Sequence, residues 1–328
     1  MNDIEKTKHF TTESYNICSN LISYIPSNVL LIEPFVGDGD LLSLFPTYQW
    51  ELYDIEEHGN NIVQDTLKNP PNYFKKWVIT NPPYLAKNKS TDKTIFNLYK
   101  TDDLYKAALL SILNCEGGIL IIPTNFFTDD RTQDIRVKFL NQFEICEINI
   151  FTQPVFKSTT YSVCSFAFKR KSNEAKFQII KCNIKPQNVQ VDIELNPNYG
   201  YRIAGEFYNQ IDSTKSVFNR LVGQTSNDFI TNIKLYAIDT RNERIRLEYC
   251  EQPYYGKQSD RTYATFTCKY QLSIEQQKQL IKEFNRQLED FRAKYHDLSM
   301  TNYRDYNRKR IGFTFAYKLA SKILEEIL

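Results

Sequence analysis

"WVITNPPYLAKNK", residues 77–89, carries an apolar strand pattern straight into Asn81-Pro82-Pro83-Tyr84 and then into a polar loop dotted with lysine. Two adjacent prolines cannot continue a sheet ladder, because neither has a backbone N–H and both fix φ. The plain reading is a turn that ends a strand. The sharper reading is a stiff platform offering an amide oxygen, a carbonyl and an aromatic face to a ligand. Neighbouring segments decide which.

Upstream, "NVLLIEPF" (28–35) is a short apolar run ending in a glycine-bearing turn, and "YQWELYDI" (48–55) is a second strand pattern. Downstream, "TDDLYKAALLSILNCEGG" (101–118) reads as a capped amphipathic helix with a Gly-Gly stop, followed by "ILIIP" (119–123) as a strand. A further capped helix is expected over 129–143, then strands over 144–151 and 161–170. No helical pattern separates these last two, so they should form a hairpin whose final strand runs antiparallel. Alternation of this kind implies an α/β fold with a doubly wound mixed sheet.

Composition bounds the rest. The 328 residues suffice for one large or two ordinary domains. No stretch has the length and apolarity of a membrane span, and "MNDIEKTKHFTTES" lacks the apolar core of a signal peptide. The seven cysteines form no CxxC or Cys/His cluster, so no zinc site or other metal site and no disulfide framework is expected. A reducing cytoplasm suits them. Residues 1–170 hold 16 Lys+Arg against 20 Asp+Glu, whereas residues 171–328 hold 25 against 19. Any polyanion binding should therefore favour the second half. A solvated surface accounts for the asymmetry nearly as well.

Open α/β sheets bind ligands at the carboxyl ends of their strands, where the strand order reverses. After the first strand comes "EPFVGDGD", with Glu33, Gly37 and Gly39 in a tight turn. No Gly-Lys-Ser/Thr follows, and Asp38 and Asp40 would repel a pyrophosphate. Asp54 stands at the tip of the second strand, placed to take ribose hydroxyls; its plain alternative is a solvated strand end. Asp65, in "NNIVQDTL", can accept from an exocyclic amine. Acids at three successive turns without phosphate machinery describe a nucleoside bearing a sulfonium and an amino-acid tail, namely S-adenosylmethionine (SAM).

The ordered set "FTTESYN" (10–16), "LIEPFVGDGDLL" (31–42), "YDIE" (53–56), "QDTL" (64–67) and "TNPPY" (80–84) resembles the amino-methylating DNA methyltransferases. With cofactor segments first and the basic half last, the order is similar to the gamma class of N6-adenine enzymes, the TaqI type. The resemblance covers residues 10–170 and implies a sheet of the class I SAM-dependent methyltransferase type. It further implies cofactor contacts at Thr11, Thr12, Glu33, Pro34, Phe35, Gly37, Gly39, Asp54, Ile55 and Asp65, and a catalytic tetrapeptide at Asn81, Pro82, Pro83 and Tyr84. The amino-terminal segment departs from the family, with "FTTES" where Thr-Pro is usual. "GDGD" is more acidic than common versions of that turn.

An adenine amine is a poor nucleophile, because its lone pair is delocalised into the ring. The Asn81 side-chain oxygen and the Pro82 carbonyl can accept its two protons and favour a tetrahedral nitrogen whose lone pair meets the methyl sulfonium. No cysteine follows a proline, so the nucleophile of cytosine-C5 methylation is missing. A base inside a duplex must first be extruded. The family stacks it on aromatic faces, which implies Tyr84 and, in "TQPVFKSTTYS", Phe156.

Residues 171–328 carry no recognised motif. They are expected to form an α+β target-recognition domain beside a SAM-binding catalytic domain of residues 1–170. A hairpin over 234–250 turning at Arg241-Asn242 and a long helix over 273–298 are expected, with basic and aromatic residues interleaved over 254–270. Arg308, Lys309 and Arg310 are candidate phosphate contacts. The implied partners are double-stranded DNA and a cognate restriction endonuclease, with the enzyme itself a monomer and no membrane involved. A HemK-like protein-glutamine methyltransferase and an RNA amino-methyltransferase need the same tetrapeptide. The former has a helical domain before the cofactor fold, whereas here the fold is expected to start near residue 10. A DNA-binding module with a relic cofactor fold is the non-enzymatic alternative, against which the intact acids weigh.

Overall fold

The computed structural model describes residues 14–156, 160–172, 177–224, 226–303 and 306–328. It divides into two compact units, one of residues 1–202 with 304–306 and the other of residues 203–303 with 307–328.

The first unit is built on a nine-stranded sheet. Its strands are β1 (Leu30–Glu33), β2 (Gln49–Asp54), β3 (Ile62–Val63), β4 (Trp77–Thr80), β5 (Gly117–Pro123), β6 (Phe143–Phe151), β7 (Val163–Arg170), β8 (Gln178–Lys185) and β9 (Val189–Leu195). They lie in the order β3-β2-β1-β4-β5-β7-β6-β8-β9. β1, β4 and β5 pair in parallel, while β7 runs antiparallel to both β5 and β6, as the missing helix between 151 and 161 implies. From β1 the chain proceeds outward to β2 and β3, then returns to place β4 on the other flank of β1. The reversal point therefore lies between β1 and β4. This is the mixed, doubly wound α/β arrangement expected from the sequence.

Three local differences have physical reasons. The helix expected over 101–118 is confined to Leu104–Ser111, and Gly117-Gly118 opens β5 instead of stopping a helix. A Cβ on Gly118 would stand 1.7 Å from the Val78 carbonyl oxygen, so close approach of β5 to β4 requires the glycine. The sheet also does not end at residue 170. β8 pairs in parallel with β6 and β9 antiparallel with β8, so the first unit extends to Arg202. Finally, β3 is a two-residue strand where only a connection was expected.

The second unit contains a four-stranded sheet in the order β10-β13-β11-β12. These strands are β10 (Phe218–Arg220), β11 (Phe229–Tyr236), β12 (Arg246–Tyr249) and β13 (Tyr263–Cys268). β11 and β12 form the hairpin expected around Arg241-Asn242, with the Thr240 N–H bonded to the Glu243 carbonyl at 2.8 Å. Helix Ile274–Lys294 starts from a capping box: Ser273 Oγ accepts from the Gln276 N–H, and the Gln276 side chain accepts from the Ser273 N–H. Its buried stripe runs through Leu280, Phe284, Leu288 and Phe291. Phe291 stacks on Phe207 with ring centroids 4.0 Å apart. Among the described residues no helix is long and apolar enough to cross a membrane.

Candidate active site

β1 ends on Glu33 and β4 on Thr80, side by side at the reversal point. Thr80 donates its hydroxyl to Glu33 Oε1 at 2.5 Å, and the Phe35 N–H donates to the same oxygen at 3.1 Å. Glu33 Oε2, on a residue 2 % exposed, has no hydrogen-bond partner among the described residues. Burial pushes this carboxyl from 4.5 up to about 8; the Thr80 and Phe35 bonds pull it down, and the nearby Asp54 charge adds to the rise. A buried carboxyl with one oxygen unanswered is a polar group awaiting a donor.

Glu33 opens onto a cavity of about 360 Å³. Of the residues expected to hold a cofactor, Glu33, Phe35, Gly37, Asp54, Ile55 and Asp65 line it, and so do Asn81, Pro82 and Pro83. Gly39 stands just behind, at φ 78°, with its N–H bonded to the Val36 carbonyl. It closes the turn without facing the cavity. Pro34 likewise lies off the wall and accepts the Thr66 hydroxyl on its carbonyl at 3.0 Å. Thr11 and Thr12 lie outside the described residues.

The acids hold the loops as well as the wall. Asp54 Oδ2 accepts from the Gly37 N–H and Oδ1 from the Glu56 N–H, each at 3.0 Å, so one carboxylate ties the turn after β1 to the turn after β2. Asp65 Oδ1 accepts from the Leu67 and Lys68 N–H groups, and Oδ2 lies 3.3 Å from Lys68 Nζ. Ile55, 46 % exposed, offers an apolar face beside them.

The sequence reading did not find His58. It lines the same cavity, with ring nitrogens 3.8–4.0 Å from carboxylate oxygens of Asp38, Asp54 and Glu56. Asn61 holds its loop, accepting from the His58 N–H at 2.6 Å and donating to the Glu56 carbonyl at 2.9 Å. A single histidine four residues beyond a strand tip has no pattern to announce it. Ser90, Asp92, Ile95, Phe96 and Leu104 close the cavity from the segment after the tetrapeptide and were equally silent.

Tyr84 does not face the cavity. Its ring is buried, edge-on to Tyr105 and tilted against Phe156 with centroids 6.5 Å apart. Phe156 is buried too. In this arrangement the two rings nearly touch and leave no room for a base between them. The Tyr84 oxygen lies 2.6 Å from the Ile121 carbonyl and 2.5 Å from Asn81 Oδ1. A phenol has one proton and cannot donate to both. Turning the Asn81 amide puts Nδ2 toward the phenol, makes both contacts donor–acceptor pairs, and directs Oδ1 away from it.

In the second unit, Lys309 is buried and donates to Asn302 and Asn307 side-chain oxygens at 2.6 and 2.8 Å. Burial lowers its ammonium to about 8. It is a structural cation and not an exposed phosphate contact, because the short ladder Thr301–Asn302 with Lys309–Arg310 turns its side chain inward. Arg308 and Arg310 are half-buried, and the Arg308 guanidinium lies over the Tyr303 ring.

No family model and no curated protein matches the chain. Among solved structures it is similar to a type I restriction-modification system methyltransferase subunit from Streptococcus thermophilus, at 13% identity and a TM-score of 0.42, over 56% of this chain and 50% of that one. It is similar also to the type IIG restriction endonuclease BpuSI, at 14% identity and a TM-score of 0.42, over 66% and 36%. A third is the type I restriction enzyme EcoKI M protein, at 12% and 0.37, over 50% and 45%. The chain spans half or less of the length of each. At this distance no shared activity follows, and the residues of the cavity decide the chemistry.

Glu33 supplies one prediction at once. A carboxyl whose folded pKa of about 8 exceeds its ordinary 4.5 keeps its proton in the folded chain where the unfolded chain has lost it. Its contribution is therefore favourable in acid and is lost as pH rises from about 4.5 through 8. Glu33→Gln, which keeps the shape and cannot ionise, should flatten the fall in melting temperature across that window. Parallel wild-type and variant curves would show that Glu33 ionises like an exposed acid.

Proposed function

We propose that the chain is a SAM-dependent DNA methyltransferase acting on an amino group of a base, with the N6 amine of adenine as target. The observation that carries this reading is the position of Asn81-Pro82-Pro83 on the wall of the acid-lined cavity, one strand from Glu33. The donor set fits the cofactor. Asp38, Asp40, Asp54, Glu56, Asp65 and Asp92 surround the cavity against Lys68 and His58, which suits a cationic ligand and repels a phosphorylated one. Asp54 is set for ribose hydroxyls, Ile55 for an apolar ring face, Asp65 for an exocyclic amine, and Glu33 Oε2 for an ammonium whose positive charge favours loss of the carboxyl's proton. When bound, SAM supplies an electrophilic methyl group.

The remaining work falls to this chain's own atoms. The Asn81 Oδ1 and the Pro82 carbonyl accept the two protons of the target amine, drawing its lone pair out of conjugation. The prolines hold these acceptors in place before the base arrives. Tyr84 acts behind them as a positioning residue, fixing the Asn81 amide through its hydroxyl. Stacking of an extruded base on Tyr84 requires Phe156 to swing away from it first. The second unit, not the whole of residues 171–328, is then the target-recognition domain.

The test is the product. Duplex DNA incubated with the protein and isotopically labelled SAM, then digested to nucleosides, should yield N6-methyldeoxyadenosine. N4-methyldeoxycytidine instead would keep the mechanism and change the substrate, whereas label on a protein glutamine would remove DNA from the reading. Tyr84→Phe should lower kcat several-fold while the SAM Kd stays put, and wild-type turnover would take the hydroxyl out of the mechanism.

A further inference from the structure

The interleaved basic and aromatic stretch 254–270 takes no part in the cavity. At the start of β13 it stands beside β11 and β12 on one face of the four-stranded sheet, where Tyr263 is exposed while Thr265 and Thr267 farther along the strand are buried. The inward side chains Ile233, Leu235, Leu247, Ala264 and Phe266 are all buried, so Lys234, Tyr236, Arg246 and Tyr263 point the other way by strand alternation. Tyr236 pairs directly with Tyr263 on one side and with Arg246 on the other. Lys234 Nζ lies 4.9, 5.6 and 5.0 Å from the ring centroids of Tyr236, Tyr254 and Tyr263. An ammonium held over three rings is fixed without surrendering its charge to a carboxylate.

The adjoining loop is built with the same economy. One oxygen of Asp260 accepts both the Tyr254 hydroxyl, at 2.8 Å, and the Lys257 N–H, at 2.7 Å. Arg220 donates to the Asp260 and Gln258 carbonyls at 2.9 Å each. A Cβ on Gly256 would stand 3.2 Å from that Asp260 oxygen, so the loop closes tightly around the carboxylate. The consequence is a fixed rim on which the Lys257 and Arg261 side chains are exposed. Neither of them, nor Lys234, has a carboxylate within 4.0 Å among the described residues. The acids of the face are already engaged: Glu243 and Glu248 by Arg246, and Asp260 within its own loop.

We propose that this face docks the sugar–phosphate backbone of duplex DNA. Lys234, Lys257 and Arg261 meet phosphates, and Tyr263 with the exposed Tyr255 packs against the sugars between them. Cations with no carboxylate partner among the described residues, Lys234 held over rings on β11 and Lys257 and Arg261 carried by the fixed loop, where Arg261 also donates to the Gln258 and Asp260 carbonyls, suit a polyanion whose binding is driven by counterion release. The tyrosines suit the deoxyribose–phosphate strand, to which hydroxyl-bearing side chains donate while their rings lie against the sugars. This assignment rests on the methyltransferase reading, of which it names the DNA-holding surface.

Lys257→Gln/Arg261→Gln and, separately, Lys234→Gln are compared with wild type by fluorescence anisotropy on a labelled DNA duplex over a salt series. SAM affinity is measured on the same samples. The double variant should weaken duplex binding and reduce the slope of log K against log salt by about 1.8, at roughly 0.9 per phosphate contact, and Lys234→Gln by about half that. SAM affinity should not change. Wild-type slope and affinity in both variants would overturn the surface and leave methyl transfer untouched. Absence of any duplex binding by the wild type, with SAM still bound, would overturn the surface and the DNA reading together. A slope change confined to duplex RNA would overturn the assignment to DNA.

Discussion

Asn81→Ala should reduce methyl transfer by a factor of at least about 100, the usual scale for removing one preorganised hydrogen-bonding group from a reacting centre. The substitution deletes one of two acceptors. One amine proton is then left unanswered, and the nitrogen lone pair stays in the ring. SAM affinity should change little, because the acids of the β1, β2 and β3 turns do not depend on this amide. Duplex affinity should survive as well, since phosphate contacts dominate it. Single-turnover rates with SAM and DNA both saturating separate this outcome from a binding defect. The structure adds an internal control. The Asn81 amide is gripped by the Tyr84 hydroxyl, so Asn81→Ala and Tyr84→Phe act on one acceptor and should not add. A double variant slower than Asn81→Ala by the full Tyr84→Phe factor would show that the phenol acts independently of the amide.

The parts of this fold that were legible in the sequence are those whose pattern is local. β1, β4 and β5 are apolar runs bounded by turn residues, β2 is a mixed aromatic and acidic strand pattern, and the antiparallel β7 follows from the missing helix between 151 and 161. The cavity-lining acids could be placed because strand tips are where such sheets bind. Long-range pairing was not legible. Nothing in "NPNYG" or in the alternating β8 and β9 says that they lengthen the sheet to residue 195, because an amphipathic hairpin reads alike on a sheet edge and in a separate domain. Gly117-Gly118 looked like a helix stop because the contact that demands Gly118, the Val78 carbonyl, lies 40 residues away. Lys309 looked exposed for a different reason. Its burial depends on Asn302 and Asn307, whose side chains form a polar pocket for an ammonium that no composition rule foresees. His58 entered the cavity through a loop conformation held by Asn61. For Gly118 and the sheet edge the missing information is a contact remote in sequence, whereas for Lys309 and His58 it is the conformation of a short loop that no periodic pattern announces.

The second large effect belongs to Asp54. On the proposed reading its carboxylate accepts from ribose hydroxyls, and losing hydrogen bonds to a charged group costs roughly 1.5–3 kcal/mol. Asp54→Ala should therefore weaken SAM binding by about 10- to 150-fold. The geometry makes the origin of that loss a separate question, because Asp54 also receives the Gly37 and Glu56 N–H groups. Removing the carboxylate leaves both donors unanswered and loosens the two turns that carry Gly37, Ile55 and Glu56. Asp54→Asn separates the contributions. Its one oxygen still serves one turn, but the uncharged amide binds hydroxyls more weakly, so the direct loss persists while the turn is half kept. Calorimetry with SAM and with a 2′,3′-dideoxy analogue reads the difference. If Asp54 acts on the ribose, the wild type should prefer SAM over the analogue and Asp54→Ala should not. Should the variant keep the full preference while losing affinity, Asp54 acts only by holding the turns. Should affinity stay at the wild-type level, Asp54 leaves the cofactor site altogether.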